Sequence, residues 1–231
     1  MISQALKGVM MNRRRGGAGD PFFANTVMLL HGSDFLDYSA LGATASLVGT
    51  GVTLDSSVPN GAVGTSSFRV TAAANREFQF PACPEYRRIS DYTLEFWIYF
   101  DAVPSNNLAM CSNFGTKFVQ LLPDGIGGGN TQVQGYGATG GASGVLSAWH
   151  QYTCVFDSAA GRFAQWLDGV LSISALHTLI TDASNQDMDV ISALGTGGLH
   201  RMMEIRYTQG VARYNPTDPN IPLQAAPWPD F

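Results

Sequence analysis

Residues 93–100 read TLEFWIYF, and the alternation in this stretch decides the fold. Side chains of an extended strand point to opposite faces in turn, so Leu94, Phe96, Ile98 and Phe100 share one face while Glu95, Trp97 and Tyr99 share the other. Aromatic and β-branched residues pack well on a pleated surface, and neither Gly nor Pro interrupts the run. It reads as a central strand. Glu95 is the odd member, since a carboxylate between Leu94 and Phe96 has to be solvated or held by a partner.

On either side lie further short strand candidates. Upstream they span 27–30, 43–48, 51–54, 66–70 and 77–80, the last stopped by Pro81 and Pro84. Downstream they span 108–111, 117–122, 149–157, 162–167, 170–174, 176–180, 191–195 and 202–208. Asp168-Gly169 between two of these is the strongest hairpin signal, because a type I′ turn needs positive φ at both central positions. Asp168 is therefore read as a turn residue. A chain of 231 residues, 45% hydrophobic, can bury a full core as one domain. With 26 Gly, only 13% charged residues and little helical periodicity, it is expected to be all-β, a sandwich of two antiparallel sheets. No run approaches the roughly 20 apolar residues of a membrane span.

Charge is unevenly spread. Residues 1–19 contribute +4 through Lys7, Arg13, Arg14 and Arg15, and the remainder contributes −9, for −5 overall. An acidic body argues against nucleic-acid binding, which rests on phosphate neutralisation by Lys and Arg. Cys83, Cys111 and Cys154 cannot all pair internally and match no zinc spacing, so they read as free, buried thiols of a protein assembled in a reducing cytoplasm.

At the N-terminus, Ile2, Ala5, Leu6, Val9 and Met10 recur on one face of a short helix, which needs a partner surface to be stable. Arg13, Arg14 and Arg15 follow the apolar residues, the reverse of a secretory signal, and Gly16 to Asp20 reads as a hinge. Residues 1–20 are thus either a docking arm or a disordered terminus. Residues 125–144 contain nine Gly without the ending of a phosphate loop. Two readings stand: a long surface loop crossing the sheet, or a binding loop in which Asn130, Gln132, Gln134 and Tyr136 meet a sugar. The tail from Pro216 holds five prolines and is expected to be extended.

Three phrases in order, YTLEFWIYF at 92–100, WHQYTCVFD at 149–157 with the Trp166-Leu167-Asp168-Gly169 hairpin, and EIRYTQGVARY at 204–214, resemble one family. It is the concanavalin A-like (laminin-G-like) jelly roll of tailed-bacteriophage structural proteins. Weaker echoes lie at 20–32 and 61–70, and the resemblance covers about residues 20–230. It implies a jelly-roll sandwich over 21–231 carried by the arm at 1–20. It also implies a virion protein assembled in the host cytoplasm, capsid-decorating or tail-associated, present in multiple copies or as a homo-oligomer. Where the family commonly carries an acidic pair before the closing-strand Arg, this chain has Met203-Glu204, so Glu204 is expected to form a structural ion pair with Arg206 or Arg213.

The chemistry of the residues favours binding over catalysis. Glycoside hydrolases of this superfold place two carboxylates on one strand as nucleophile and acid, and the four Glu, at 77, 85, 95 and 204, have no acid two or three residues on. His31, His150, His177 and His200 are scattered, with no nucleophile elbow. Asp182, Asp187 and Asp189 read as a solvated acidic loop, although such oxygens suit calcium; no metal or other cofactor is expected. Trp97, Trp149 and Trp166 read as core. The expected protein is a non-enzymatic virion component, with Ile2, Leu6, Val9, Met10 and Arg13 to Arg15 docking on capsid or tail proteins. Its alternative role is a glycan-binding module for host surface sugars, with no nucleic-acid or membrane partner.

Overall fold

The computed structural model describes residues 20–48, 51–59, 61–71, 76–86, 90–101, 108–113, 116–123, 129–133, 138–139, 146–177, 188–193 and 200–229. Among them, fifteen strands form two antiparallel sheets packed as a jelly-roll-like sandwich. The first sheet runs β13 (Val170–Leu176), β12 (Arg162–Leu167), β11 (Trp149–Asp157), β6 (Tyr92–Phe100), β15 (His200–Gln209), β4 (Ser67–Val70), β3 (Val52–Asp55). β15 outlasts β4, and β1 (Thr26–Leu30) pairs with its second half. The second sheet runs β10 (Ala138–Thr139), β9 (Gly129–Val133), β8 (Thr116–Pro123), β7 (Leu108–Asn113), β14 (Met188–Ala193), β5 (Arg76–Phe80), β2 (Ser46–Val48).

The quoted stretch is the central strand β6. Its Tyr92, Leu94, Phe96, Ile98 and Phe100 face the second sheet and join Tyr152, Phe156, Met202 and Tyr207 in the main core, with Phe80 and Val190 from the opposite sheet. Phe96 and Tyr152 stack with centroids 5.5 Å apart. Each such ring removed from water contributes roughly 1.5–3 kcal/mol.

The other face of β6 is buried as well. Trp97 packs with Trp149 and Met203 under Val58, Ala62 and Val63. Further along the sheet, Trp166 packs with Val155 and Ala164 under Ile221 and Tyr214. The extended, proline-rich tail supplies that second cover and is pinned to the β12–β13 hairpin. Leu171 N–H donates to Pro219 O (2.9 Å), Ile221 N–H to Gly169 O (2.8 Å) and Trp166 Nε1–H to Asp218 O (2.9 Å). Asp168 and Gly169 both have positive φ, 51° and 78°, as a type I′ turn requires. Asp168 does more than turn the chain, since its carboxylate accepts from Gln151 N–H (2.9 Å) and lies 2.6 Å from His150 Nδ1.

Beneath the tail lies an ion network. Glu95, fully buried, accepts from Arg206 Nε at 2.7 Å and from the Tyr214 hydroxyl at 2.9 Å. Arg213 grips Asp20 through both terminal nitrogens (2.8 and 2.9 Å), and Arg206 Nη1 reaches the same carboxylate at 3.3 Å. Asp20, read from sequence as the end of a hinge, is thus tied into the sandwich. Burial opposes its ionisation, but the Arg213 hydrogen bonds, the Phe22 amide and the two guanidinium charges hold its carboxyl below the usual value. Burial, and then the Glu95 charge, push the Tyr214 phenol well above its ordinary range.

Three expectations are corrected. Within the stretch 125–144, the described residues 129–133 and 138–139 are not loop but strands β9 and β10, which pair Gln132 with Gln120 and with Thr139. Asp189 lies in strand β14 opposite Ser112 and Gln79 rather than in an acidic loop, while Asp182 and Asp187 lie outside the described residues. Leu176 is the last residue of β13, not the first of another strand. Neither Cys83 nor Cys154 is in a disulfide, and Cys154 is buried as expected while Cys83 is only half-buried.

Two outcomes follow from the tail and its network. A Cβ at position 169 would stand 2.7 Å from Ile221 O on a left-handed backbone. Gly169→Ala is therefore expected to cost more than about 1 kcal/mol in denaturant unfolding. Asp20→Asn removes the nearer charge partner of Arg213, leaving only Glu95 at 4.0 Å, and is expected to cost about 3 kcal/mol at neutral pH. With its folded pKa below the unfolded one, Asp20 contributes fully above about pH 4 and loses that contribution as pH falls through the folded value. The stability gap between wild type and Asp20→Asn should accordingly shrink in acid.

Candidate functional site

The sequence-derived site residues fall in two groups. Ile2, Leu6, Val9, Met10, Arg13, Arg14 and Arg15 lie outside the described residues, as do Gln134 and Tyr136. Asn130 and Gln132 share one face of β9, opposite Leu122 and Gln120. A different constellation gathers where β1 ends beside β15.

β15 carries a bulge. Met203 pairs with Trp97 and Arg206 with Glu95, so one extra residue is inserted, and Glu204 takes the left-handed φ of 50°. Met203 and Arg206 consequently meet the outer-face residues of β6, while Ile205 and Tyr207 return to the core. A non-glycine residue in this region costs on the order of 1 kcal/mol, which its surroundings have to offset. They do so through the Glu204 carboxylate, whose Oε2 accepts from Trp228 N–H (2.7 Å) and Gln224 Nε2 (3.3 Å). Its Oε1 lies 2.8 Å from His31 Nδ1, so the proton between them belongs on that nitrogen. The expected ion pair of Glu204 with Arg206 or Arg213 is overturned: those guanidiniums serve Glu95 and Asp20, and Glu204 anchors the tail instead.

His31 is presented by the loop that follows β1. Gly32 has φ 87°, and a Cβ there would stand 2.8 Å from Ser67 Cα, so only glycine lets the loop lie against β4. Asp37, buried at the loop's centre, accepts from the amides of Leu29 (2.9 Å) and Ser39 (2.8 Å) and from the Ser39 hydroxyl (2.8 Å). Burial pushes the Asp37 carboxyl up against these bonds. Tyr38 is thereby set against His31, ring centroids 4.9 Å apart, with its hydroxyl donating to Asp34 Oδ2 at 2.7 Å.

The result is a pocket of 250 Å³ lined by His31, Ser33, Tyr38, Gly64, Thr65, Ser66, Glu204, Pro227 and Trp228. Ser33 and Thr65 are exposed at its rim. Trp228 forms a partition, because it also lines a cleft of 330 Å³ with Asp20, Phe22, Arg206, Arg213 and Tyr214. Arg206 Cζ sits 3.4 Å from the indole centroid, a cation–π contact that fixes the ring. Aromatic walls, the aliphatic hydroxyls of Ser33, Thr65 and Ser66 and a buried acceptor at the base suit a small polyhydroxylated ligand. From the sequence, His31 read as one of four scattered histidines and Glu204 as half of an ion pair, and nothing connected either with Trp228.

No protein-family model matches the chain, and no curated protein matches its sequence. Solved structures do resemble it. The binding domain of Paraclostridial Mosquitocidal Protein 1 matches with a TM-score of 0.55 and 13% identity, over 81% of this chain and 49% of that one. The Botulinum Neurotoxin serotype G binding domain matches with a TM-score of 0.56 and 14% identity, over 84% of this chain and 49% of that one. The binding domain of Botulinum Neurotoxin DC in complex with SialylT matches with a TM-score of 0.52 and 11% identity, over 80% and 48%. The chain spans about half the length of these structures, and the likeness is one of fold. The protein has a β-sandwich fold like that found in about half of each of these toxin binding domains.

Proposed function

We propose that this chain is a non-enzymatic glycan-binding module. The observation that carries the reading is the pocket in which Tyr38, His31 and Trp228 stand around the Glu204 carboxylate with Ser33, Thr65 and Ser66 at hand. A sugar offers an apolar ring face to aromatic side chains and hydroxyls to fixed donors and acceptors, and this pocket supplies both. Among the described lining residues Glu204 is the one carboxylate, whereas glycoside hydrolysis generally needs a pair about 5–10 Å apart. Solved neighbours named as binding domains, one of them in complex with SialylT, agree with a recognition role.

The module is further proposed to be displayed on a tailed-bacteriophage particle, capsid-decorating or tail-associated, where it meets host surface glycans. The support is the resemblance of YTLEFWIYF, WHQYTCVFD and EIRYTQGVARY, together with a basic segment at 1–19 ahead of an acidic body.

Two experiments test these readings. Thr65→Trp places a bulky side chain at an exposed rim position, and His31→Ala removes part of the wall. Thr65→Trp is expected to melt within a few degrees of wild type, whereas His31→Ala, which also strips the buried Glu204 carboxylate of a partner, is expected to melt lower; both are expected to lose at least tenfold in affinity on a glycan array, about 1.4 kcal/mol. Retained glycan binding by Thr65→Trp sinks the assignment of the pocket. For the virion reading, full-length protein is expected to co-sediment with purified phage capsids or tails while a chain lacking residues 2–19 stays in the supernatant. Equal incorporation of the two would remove the docking role from that segment.

A further inference from the structure

We infer that the Glu204 pocket takes an uncharged, hydroxyl-rich sugar and excludes acidic ones, an inference that rests on the glycan-binding reading above. The charge around the pocket decides this. Glu204 stands at its base with a side chain only 1% exposed, and three of its roughly four acceptor positions are taken by His31, Gln224 and the Trp228 amide. One acceptor position remains for a ligand hydroxyl. A second carboxylate stands behind the wall, where Asp34 accepts from the Tyr38 hydroxyl (2.7 Å) and the Leu36 amide (3.1 Å).

Among the described residues, neither Lys nor Arg lines the pocket. Arg206 stacks on the Trp228 indole but lines the neighbouring cleft, where Glu95 and Asp20 neutralise it. Even a protonated His31 would cancel only Glu204, leaving Asp34 to make the site negative. A sialic acid or uronate carboxylate entering the pocket would lose its hydration beside like charge, with no Lys or Arg among the described lining residues to receive it. A neutral hexose meets no such cost. It can donate to Glu204, exchange hydrogen bonds with the Ser33, Thr65 and Ser66 hydroxyls, and lay a ring face on Tyr38 or Trp228.

The test uses the full chain and glycans in matched pairs: lactose-terminated glycans against their sialylated counterparts, and maltooligosaccharides against the same chains bearing a glucuronate. The neutral member of each pair is expected to bind at least tenfold more tightly. Raising salt from about 0.05 to about 0.5 M should narrow that preference, because the screening length falls from over 10 Å to a few ångströms. Asp34→Asn, which keeps an acceptor for Tyr38, should narrow it at least threefold. Tighter binding of the acidic members overturns the inference and leaves the glycan reading standing. Failure to bind any glycan of either kind overturns both. A neutral preference untouched by salt and by Asp34→Asn overturns the electrostatic origin of the selectivity.

Discussion

Glu95 places a carboxylate at the middle of the central strand, on the face away from the main core, and leaves it with no exposure to water. An isolated buried charge costs several kcal/mol, so the surrounding structure has to answer it. Arg206 does so from the adjacent strand and Tyr214 from the chain that follows. Arg206 in turn needs a cover on its open side, and the Trp228 indole provides it. The course of the chain from Tyr214 to Trp228 is thus tied to one acid on β6. Replacing such a network by apolar residues can be neutral or better for stability, but removing one member strands the others. The value of the network is positional, because it defines where the tail crosses the sheet.

That crossing turns a two-layer sandwich into a locally three-layered one. The apolar part of the outer face, around Trp166, is covered by Ile221 and Tyr214, and the polar part by Gln224 and Trp228. Gln224 shows how tightly the layers are joined. Its side chain accepts from Trp97 Nε1 and donates to Glu204, while its own amide donates to Gln151. An extended proline-rich segment suits this work because it loses little backbone freedom on ordering and keeps its few N–H groups for specific acceptors.

Much of the fold was legible because period-two alternation is a local property. The 93–100 stretch, the 149–157 strand and the Asp168-Gly169 hairpin all stand where their residues put them. Strands β9 and β10 were not legible, since Gly129 and Asn130 are of types depleted in strands, the favourable Thr131, Val133 and Thr139 stand isolated, and β9 forms by pairing with β8 and β10 by pairing with β9. The bulge left a trace that could have been followed: Met202 lies in one phase of the inward alternation and Ile205 and Tyr207 in the other, and two phases can meet only across an extra residue. The pocket left none. It gathers residues 31–38, 64–66, 204 and 227–228, four segments that only the tertiary fold brings together, so a motif reading settled on the glycine-rich stretch instead.

Strain at Glu204 and the chemistry of the pocket have the same origin. Without the bulge, β15 would continue its alternation, and residue 204 would face the core, where a carboxylate cannot be held. The inserted residue turns it outward at the cost of a left-handed backbone, and the hydrogen bonds to the tail and His31 offset that cost. The guanidinium two residues on has already been taken by Glu95 and Asp20, so none is left for Glu204. A negative pocket beside two arginines is therefore not a contradiction. It follows from a register in which each arginine is matched to an acid of the scaffold, leaving the acid on the bulge to meet whatever enters from solvent.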